Sequence, residues 1–173
     1  DFAERSSVQC VNLRYFNPAG ADSSSLLGEL DKEENPVIPN LVRRASRGES
    51  FQLFGNDYDT RDGSCIRDFV HVSDLAEAHI DSLEYVSSAR FETFNLGSGE
   101  GITILEIISS LQGMFPKSKL EVLNRRDGDI PAIYSNNQKA REVLGWVPKY
   151  GISEMLNSQV NWQATLRSLQ VIK

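Results

Sequence analysis

Arg67, Arg126, Asp129 and Asn17 are the residues of this 173-residue chain whose types and placement best suit a phosphorylated ligand. Arg67 follows a turn-rich stretch, Gly55 to Ser64 (GNDYDTRDGS). Arg126 and Asp129 share the loop RRDGDIPA (125–132), and Asn17 ends an apolar run. Two loop-borne arginines can clamp a diphosphate, because the guanidinium fork matches phosphate oxygens two at a time. A carboxylate such as Asp129 can accept hydrogen bonds from ribose hydroxyls. Taken singly, each arginine reads more simply as a solvated or ion-paired side chain.

Other chemistries find few residues to work with. Of the two histidines, His71 ends a strand and His79 lies on the apolar stripe of a helix, so both read as structural. Cys10 and Cys65 have neither metal-ligand spacing nor a disulfide framework, and they read as two reduced packing thiols. No metal site is expected. The sequence contains no nucleophile elbow and no phosphate-gripping GxxxxGK loop. Gly97-Ser98-Gly99-Glu100-Gly101 follows a strand and precedes a helix, as a dinucleotide fingerprint does, but its spacing is G-x-G-x-G. It reads as a tight turn that lets another backbone come close, with a helix N-terminus at Ile104 that could face an anion or a ligand ring. None of the five tyrosines, at 15, 58, 85, 134 and 150, has a lysine four residues on.

These residues need elements to hold them. Residues 1–6 read as a helix tail, and Val8 to Phe16 (VQCVNLRYF) as a buried strand closed by turn chemistry at Asn17-Pro18-Ala19-Gly20. Residues 21–35 are polar and read as a surface loop. Val37 to Arg47 reads as a helix with Pro39 in its first turn and Gly48 as its stop. Phe51–Phe54 and Cys65–His71 read as strands. Ser73 is expected to cap a helix from Asp74 to about Val86, with Leu75, Ala78, His79, Ser82, Leu83 and Val86 on one stripe. Thr93–Leu96 and Leu120–Leu123 read as strands. Thr103 and Glu106 form a capping box for a helix from Ile104 to about Phe115. Asn136 caps a helix ending at Gly145, and Gly151 or Ser153 opens a last one containing Met155, Leu156, Val160 and Trp162. Alternating strands and helices place the chain in the α/β class.

Composition bounds the rest. The chain is 40% hydrophobic and 24% charged, with a net charge of −6, which suits a soluble globular domain and argues against a nucleic-acid partner. No apolar run reaches membrane-spanning length, so no membrane partner is expected. The opening Asp1-Phe2-Ala3-Glu4 lacks the basic and apolar regions of a signal peptide. A cytoplasmic location is expected.

Taken together, five blocks carry a resemblance: LRYFNPAGA (13–21), LFGNDYDTRDGSCIRDFVHVSDLAEAH (53–79), FNLGSGEG (94–101), RRDGDIPA (125–132) and KAREVLGW (139–146). The chain resembles the C-terminal half of the UDP-glucose 4-epimerases, a branch of the extended short-chain dehydrogenases/reductases. The resemblance implies the substrate-binding part of an NAD(P)-binding Rossmann-like fold, with the main Rossmann half absent. It implies that 1–20 are the last part of that half and 21–173 a UDP-sugar-binding domain, with residues near 91–101 returning to the Rossmann sheet. In this family NAD takes a hydride from C4 of the sugar while the tyrosine of a Tyr-x-x-x-Lys pair removes the 4-hydroxyl proton. The 4-keto sugar turns over and the hydride returns to its other face. That pair would lie before residue 1, so no catalytic residue is assigned and the chain alone is expected to be inactive.

Residue by residue, the resemblance places Tyr15 beside the nicotinamide and Phe16 and Asn17 against the sugar and its phosphate. Gln52 and Phe54 fall where uracil is held, Arg67 and Arg126 on the diphosphate, and Asp129 on the ribose. Ile104 is an apolar contact to the nucleotide, and Val37 a contact at a helix start. Three departures stand out. Pro36 occupies a place often held by Asn, with Asn35 one position earlier. Phe69 stands where many members have Tyr, and Ile133 where some have a bulky Tyr in the pocket wall. The expected partners are a UDP-sugar and the N-terminal Rossmann half. Self-association is also expected, through strand edges that half would cover. Other implied readings are a UDP-pentose or UDP-uronate 4-epimerase and a non-catalytic nucleotide-sugar binding module.

Overall fold

The computed structural model describes residues 8–30, 36–86 and 91–169. The helix tail expected at 1–6 lies outside them. The chain runs β1 (Cys10–Tyr15), β2 (Asn17–Ala19), α1 (Val37–Ser46), β3 (Phe51–Phe54), β4 (Ile66–Arg67), β5 (Phe69–His71), α2 (Val72–Val86) and β6 (Phe91–Leu96). It continues through β7 (Ile102–Thr103), α3 (Ile104–Met114), β8 (Leu120–Leu123), β9 (Ala132–Ile133), a π-helical turn (Ala140–Leu144) and α4 (Ile152–Ser168).

Among the described residues four small sheets form, three of them parallel pairs. β1 pairs with β6 from Cys10↔Phe91 to Tyr15↔Leu96. β2 pairs with β5, β3 with β8, and β4 lies between antiparallel β7 and parallel β9. Parallel partners cannot meet through a hairpin, so each pair is closed by a long excursion that includes helix.

Two larger clusters form most of the core, with Ala21, Trp162 and Leu166 as a small third. Leu41, Val42, Phe51, Leu53, Phe69, Ile107, Ile108, Leu111 and Leu156 pack where α1, α3 and α4 meet. Val70, Leu75, Ala78, Phe94, Leu96 and Trp146 pack against the β1–β6 pair. Successive residues of β5 serve opposite clusters, Phe69 one and Val70 the other, as the two-residue period of a strand requires.

Several expectations change. Asn17–Ala19 is a short strand rather than a turn, because it hydrogen-bonds alongside Phe69–His71. Cys65–His71 is two strands, broken at Asp68. β1 is not buried: Asn12, Arg14 and Tyr15 are exposed, since β6 is its single strand partner among the described residues. The helix before Gly145 is a π-helical turn. It ends as expected, with Gly145 left-handed at φ 68°. α4 starts after Gly151, with Ser153 inside it. On α2, Leu83 is 73% exposed and His79 is exposed. Of the expected stripe, Leu75, Ala78 and Ser82 are buried, and the side chain of Val86 lies outside the described set.

Ser73 does not cap α2. His71 does that work: its Nδ1 accepts the Ser73 N–H at 3.0 Å. The neutral ring then carries its proton on Nε2, which faces Ser158 Oγ at 3.2 Å, and Tyr150 stacks at 4.6 Å between centroids. Gly20, at φ +80°, makes room, because a Cβ there would lie 2.7 Å from that Nε2. Burial holds the imidazole below its ordinary pKa, against the raising influence of Asp74 and Glu154. Protonating Nδ1 would also set two N–H donors against each other. The unfolded chain therefore binds this proton more readily than the folded one. The contribution is complete above about pH 6.5 and is lost as pH falls below it. We expect the melting temperature to fall between pH 6.5 and 5, and His71→Asn, which keeps the acceptor without the charge, to flatten that fall in a pH series of thermal melts.

Candidate functional site

A half-open cavity of about 220 Å³ lies between α1, β3, β4 and the 125–132 loop. Nine of the residues singled out in the sequence line it: Asn17, Val37, Gln52, Phe54, Arg67, Phe69, Ile104, Arg126 and Asp129. They come from six separate places in the chain. Tyr15, Phe16 and Ile133 are not among its lining residues.

The polar end is set by backbone. Arg67 donates from Nη1 to the carbonyls of Ile66 (2.8 Å) and Ile130 (2.7 Å), and its Nη2 stands 3.5 Å from Asp129 Oδ1. The pairing Ile66↔Ala132 and Arg67↔Ile133 brings the 125–132 loop to Arg67. Arg126 lies over the Phe54 ring at 3.6 Å from the centroid, which leaves the in-plane guanidinium N–H groups to face a ligand. Its neighbour turns away: Arg125 pairs with Asp57 at 2.7 Å and covers the Tyr58 ring. Arg44, a cavity residue the sequence did not flag, bonds Glu49 at 3.0 Å and the Ser50 carbonyl. Three arginines and one aspartate line this cavity in a chain of net charge −6, so the local sign opposes the global one.

The apolar wall is fixed by α3. Thr103 and Glu106 form the expected reciprocal capping box. Asp62 accepts from Thr103 Oγ1, and Arg61 pairs with Glu106 and donates to the Gly101 carbonyl. Ile104 N–H goes to Cys65 O and Leu105 N–H to Ser64 Oγ. The first-turn donors of α3 are thus taken by protein. The helix N-terminus holds no place for a ligand anion, and the Ile104 side chain is what it offers. The glycine turn also differs from expectation. Side chains, not a backbone, come close to it: Asp68 and Ser135 to Gly97, Ile66 and Tyr134 to Gly101.

Asn17 lines the cavity, and the remaining candidates lie outside it. Asn17 is oriented by one carbonyl, Asp68 O, which accepts from its N–H (3.1 Å) and from its Nδ2 (2.7 Å). Phe16 donates its N–H to Leu96 O. Tyr15 ends β1, 45% exposed, with its hydroxyl 2.7 Å from His79 Nε2. His79 Nδ1 lies 2.7 Å from the Leu75 carbonyl, so Nδ1 carries the proton and Nε2 accepts from Tyr15. His79 is therefore a surface partner of Tyr15 and not the packing residue expected. Ile133 is 43% exposed. Among the described residues no group of three metal-ligating side chains gathers, and no helix is long and apolar enough to cross a membrane. A second cavity of about 380 Å³ shares Pro18 and Pro39 with the first. Its charged lining residues are Asp22 and Glu29, which is the wrong sign for a phosphate.

Parallel strand pairs covered by helices, with a basic cavity beside the ends of the strands, define an α/β, Rossmann-like protein of the epimerase type. The chain belongs to the NAD dependent epimerase/dehydratase family, which residues 1–97 match. A UDP-glucose 4-epimerase of Rhizobium leguminosarum bv. trifolii is 42% identical over 170 residues, covering 95% of this chain and 51% of that protein. The crystal structure of a UDP-glucose-4-epimerase from Stenotrophomonas maltophila, with bound NAD and formylated UDP-arabinopyranose, is similar at TM-score 0.90 and 33% identity. The match covers 96% of this chain and 51% of that one. A Bifidobacterium longum UDP-glucose 4-epimerase in complex with NAD+ and UDP gives TM-score 0.82 at 38% identity, covering 90% and 47%. The chain spans about half the length of the curated relatives it matches.

Thr103→Ala removes both the α3 cap and the donor to Asp62. We expect a loss of about 1–2 kcal/mol in denaturant unfolding. A change under a few tenths would show that the 55–64 excursion does not depend on this cap.

Proposed function

We propose that this chain forms the UDP-sugar side of an NAD-dependent UDP-glucose 4-epimerase, which interconverts UDP-glucose and UDP-galactose through a 4-keto intermediate. The observation that carries the reading is the convergence of Arg67, Arg126 and Asp129 with Gln52, Phe54 and Ile104 on one basic cavity. In this reading Arg67 and Arg126 hold the diphosphate. Asp129 leaves its Arg67 contact for the ribose. Gln52 and the Phe54 ring take uracil, and Val37, Phe69 and Ile104 supply apolar walls. Asn17, Phe16 and Ile133 face the sugar. At about 220 Å³ the cavity is smaller than the roughly 300–1,000 Å³ of complete ligand pockets, which suits one wall of a site built from two parts.

The family is NAD dependent. Ligands of parallel α/β sheets sit beyond the carboxyl ends of the strands, and Tyr15 occupies that end of β1. Tyr15 therefore suits the nicotinamide side, where NAD would supply the hydride acceptor and donor. No tyrosine here stands four residues before a lysine, so the chain contributes binding and no proton-transfer pair, and alone it does not epimerise. Residues 1–20 with 91–101 form its Rossmann part and 21–173 its sugar domain. The open edge of β1 takes the remaining Rossmann strands or, in their absence, another copy.

Calorimetric titration of UDP into the chain tests the site. Weak binding is expected, and Arg67→Ala or Arg126→Ala should each reduce affinity about tenfold or more, the size of a charged hydrogen bond. A wild-type chain that binds no UDP removes the reading. A second reading, a UDP-pentose 4-epimerase, is favoured by the pentose nucleotide in the Stenotrophomonas structure. Comparing UDP-xylose with UDP-glucose turnover in the full-length protein separates the two.

Ile133 in place of a bulky Tyr leaves room for a C2 N-acetyl group. The full-length protein is expected to turn over UDP-N-acetylglucosamine as well as UDP-glucose. No detectable turnover of the acetylated sugar would sink this.

A further inference from the structure

Asp68 sits between the two strands that the sequence merged into one, and it has no exposed surface. Its neighbours Arg67 and Phe69 line the cavity. The Asp68 side chain meets four uncharged donors. Oδ1 accepts from Ser98 N–H (2.7 Å) and Ser98 Oγ (2.6 Å), and Oδ2 from Gly99 N–H (3.1 Å) and Ser135 N–H (2.9 Å). A Cβ on Gly97 would overlap this carboxylate, so the glycine turn is shaped around it. Asn137, from the other side, donates to the carbonyls of Gly97 (2.8 Å) and Ser98 (3.1 Å).

We propose that Asp68 is the positioning residue of the cavity: one buried residue, through its carbonyl and its carboxylate, sets Asn17, Arg67 and the Arg126–Asp129 loop relative to one another. Its carbonyl holds both nitrogens of Asn17, and its chain neighbour is Arg67. Its carboxylate holds Ser135, where the loop carrying Arg126 and Asp129 leaves the β4–β9 pairing. An ionised carboxylate is acceptor-only and suits four donors at once. An amide would turn an NH₂ toward at least one of those N–H groups and push the turn or the loop away. The inference rests on the UDP-sugar reading of the cavity and adds what sets its diphosphate end.

Asp68→Asn in the chain tests it. Gln52 and Phe54 lie on β3, and no hydrogen bond of Asp68 reaches that strand, so the effect should fall on the phosphates. After normalising to folded protein, affinity for UDP should drop about tenfold or more, while affinity for uridine changes less than about twofold. Amide exchange at Ser98, Gly99 and Ser135 should quicken. Equal losses for both ligands, unchanged UDP affinity, or unchanged exchange at Ser135 would each overturn the positioning role. If the wild-type chain binds neither ligand, the reading of the cavity fails. The exchange arm then still decides whether Asp68 holds the loop. Should Asp68→Asn not fold, Ser98→Ala, which deletes one donor of the four, should shift UDP affinity the same way by a smaller factor. No shift there overturns the proposal.

Discussion

The buried carboxylate of Asp68 is the constraint from which the rest of the molecule can be read. Removing a charge from water costs several kcal/mol, and it is stable only where fixed dipoles replace the lost solvent. Here the dipoles are the amides of Ser98, Gly99 and Ser135 and one hydroxyl. The chain must therefore bring three remote segments to one point. In doing so it ends β4, starts β5, turns β6 into β7 and pins the exit of the 125–132 loop. Glycine at 97 and a left-handed Gly99, at φ +82°, follow as steric requirements of the same knot.

Around it the charged groups divide by role. Arg61–Glu106 and Arg125–Asp57 are exposed pairs that tie the 55–64 excursion and the 125–132 loop to their neighbours. Exposed pairs of this kind contribute little to stability, so their value is in geometry. Arg67 differs, because two backbone carbonyls hold its guanidinium and Asp129 stands at the edge of bonding distance. An arginine held by carbonyls keeps its remaining N–H groups aimed, and the loose contact with Asp129 is the part a ligand can replace.

Much of this was legible in the sequence where the cause is local. The Thr103–Glu106 box, the stops at Gly48 and Gly145 and the extent of α1 and α3 follow from groups within one turn of each other. The gathering of Arg67, Arg126 and Asp129 came from a family resemblance and not from periodicity. What stayed hidden is what depends on distant partners. Asn17–Ala19 reads as a turn until Phe69–His71 lies beside it. His79 reads as core until Tyr15 is seen to reach it. His71 displaces Ser73 as the cap because a ring nitrogen two residues earlier reaches the same N–H. Asp68 did leave a signal: a charged residue inside an apolar run (CIRDFVH) must break the strand or find donors, and it does both.

The same knot bears on why the cavity is half-open. Its inner wall is rigid, built from β3, β4 and the capped start of α3, whose own donors are all used. β1, which reaches the cavity through Asn17, has Arg14 and Tyr15 exposed and one edge unpaired among the described residues. Parallel sheets are ordinarily covered on both faces, and an unpaired edge offers its N–H and C=O groups to a further strand. The fixed wall and the unfinished edge lie at opposite ends of the same short run, Tyr15-Phe16-Asn17. Asn17 is locked to Asp68, while the Tyr15 side chain rests on His79. A strand added at the open edge of β1 would therefore lie within two residues of the arginine cavity, with the backbone between them carrying the alignment.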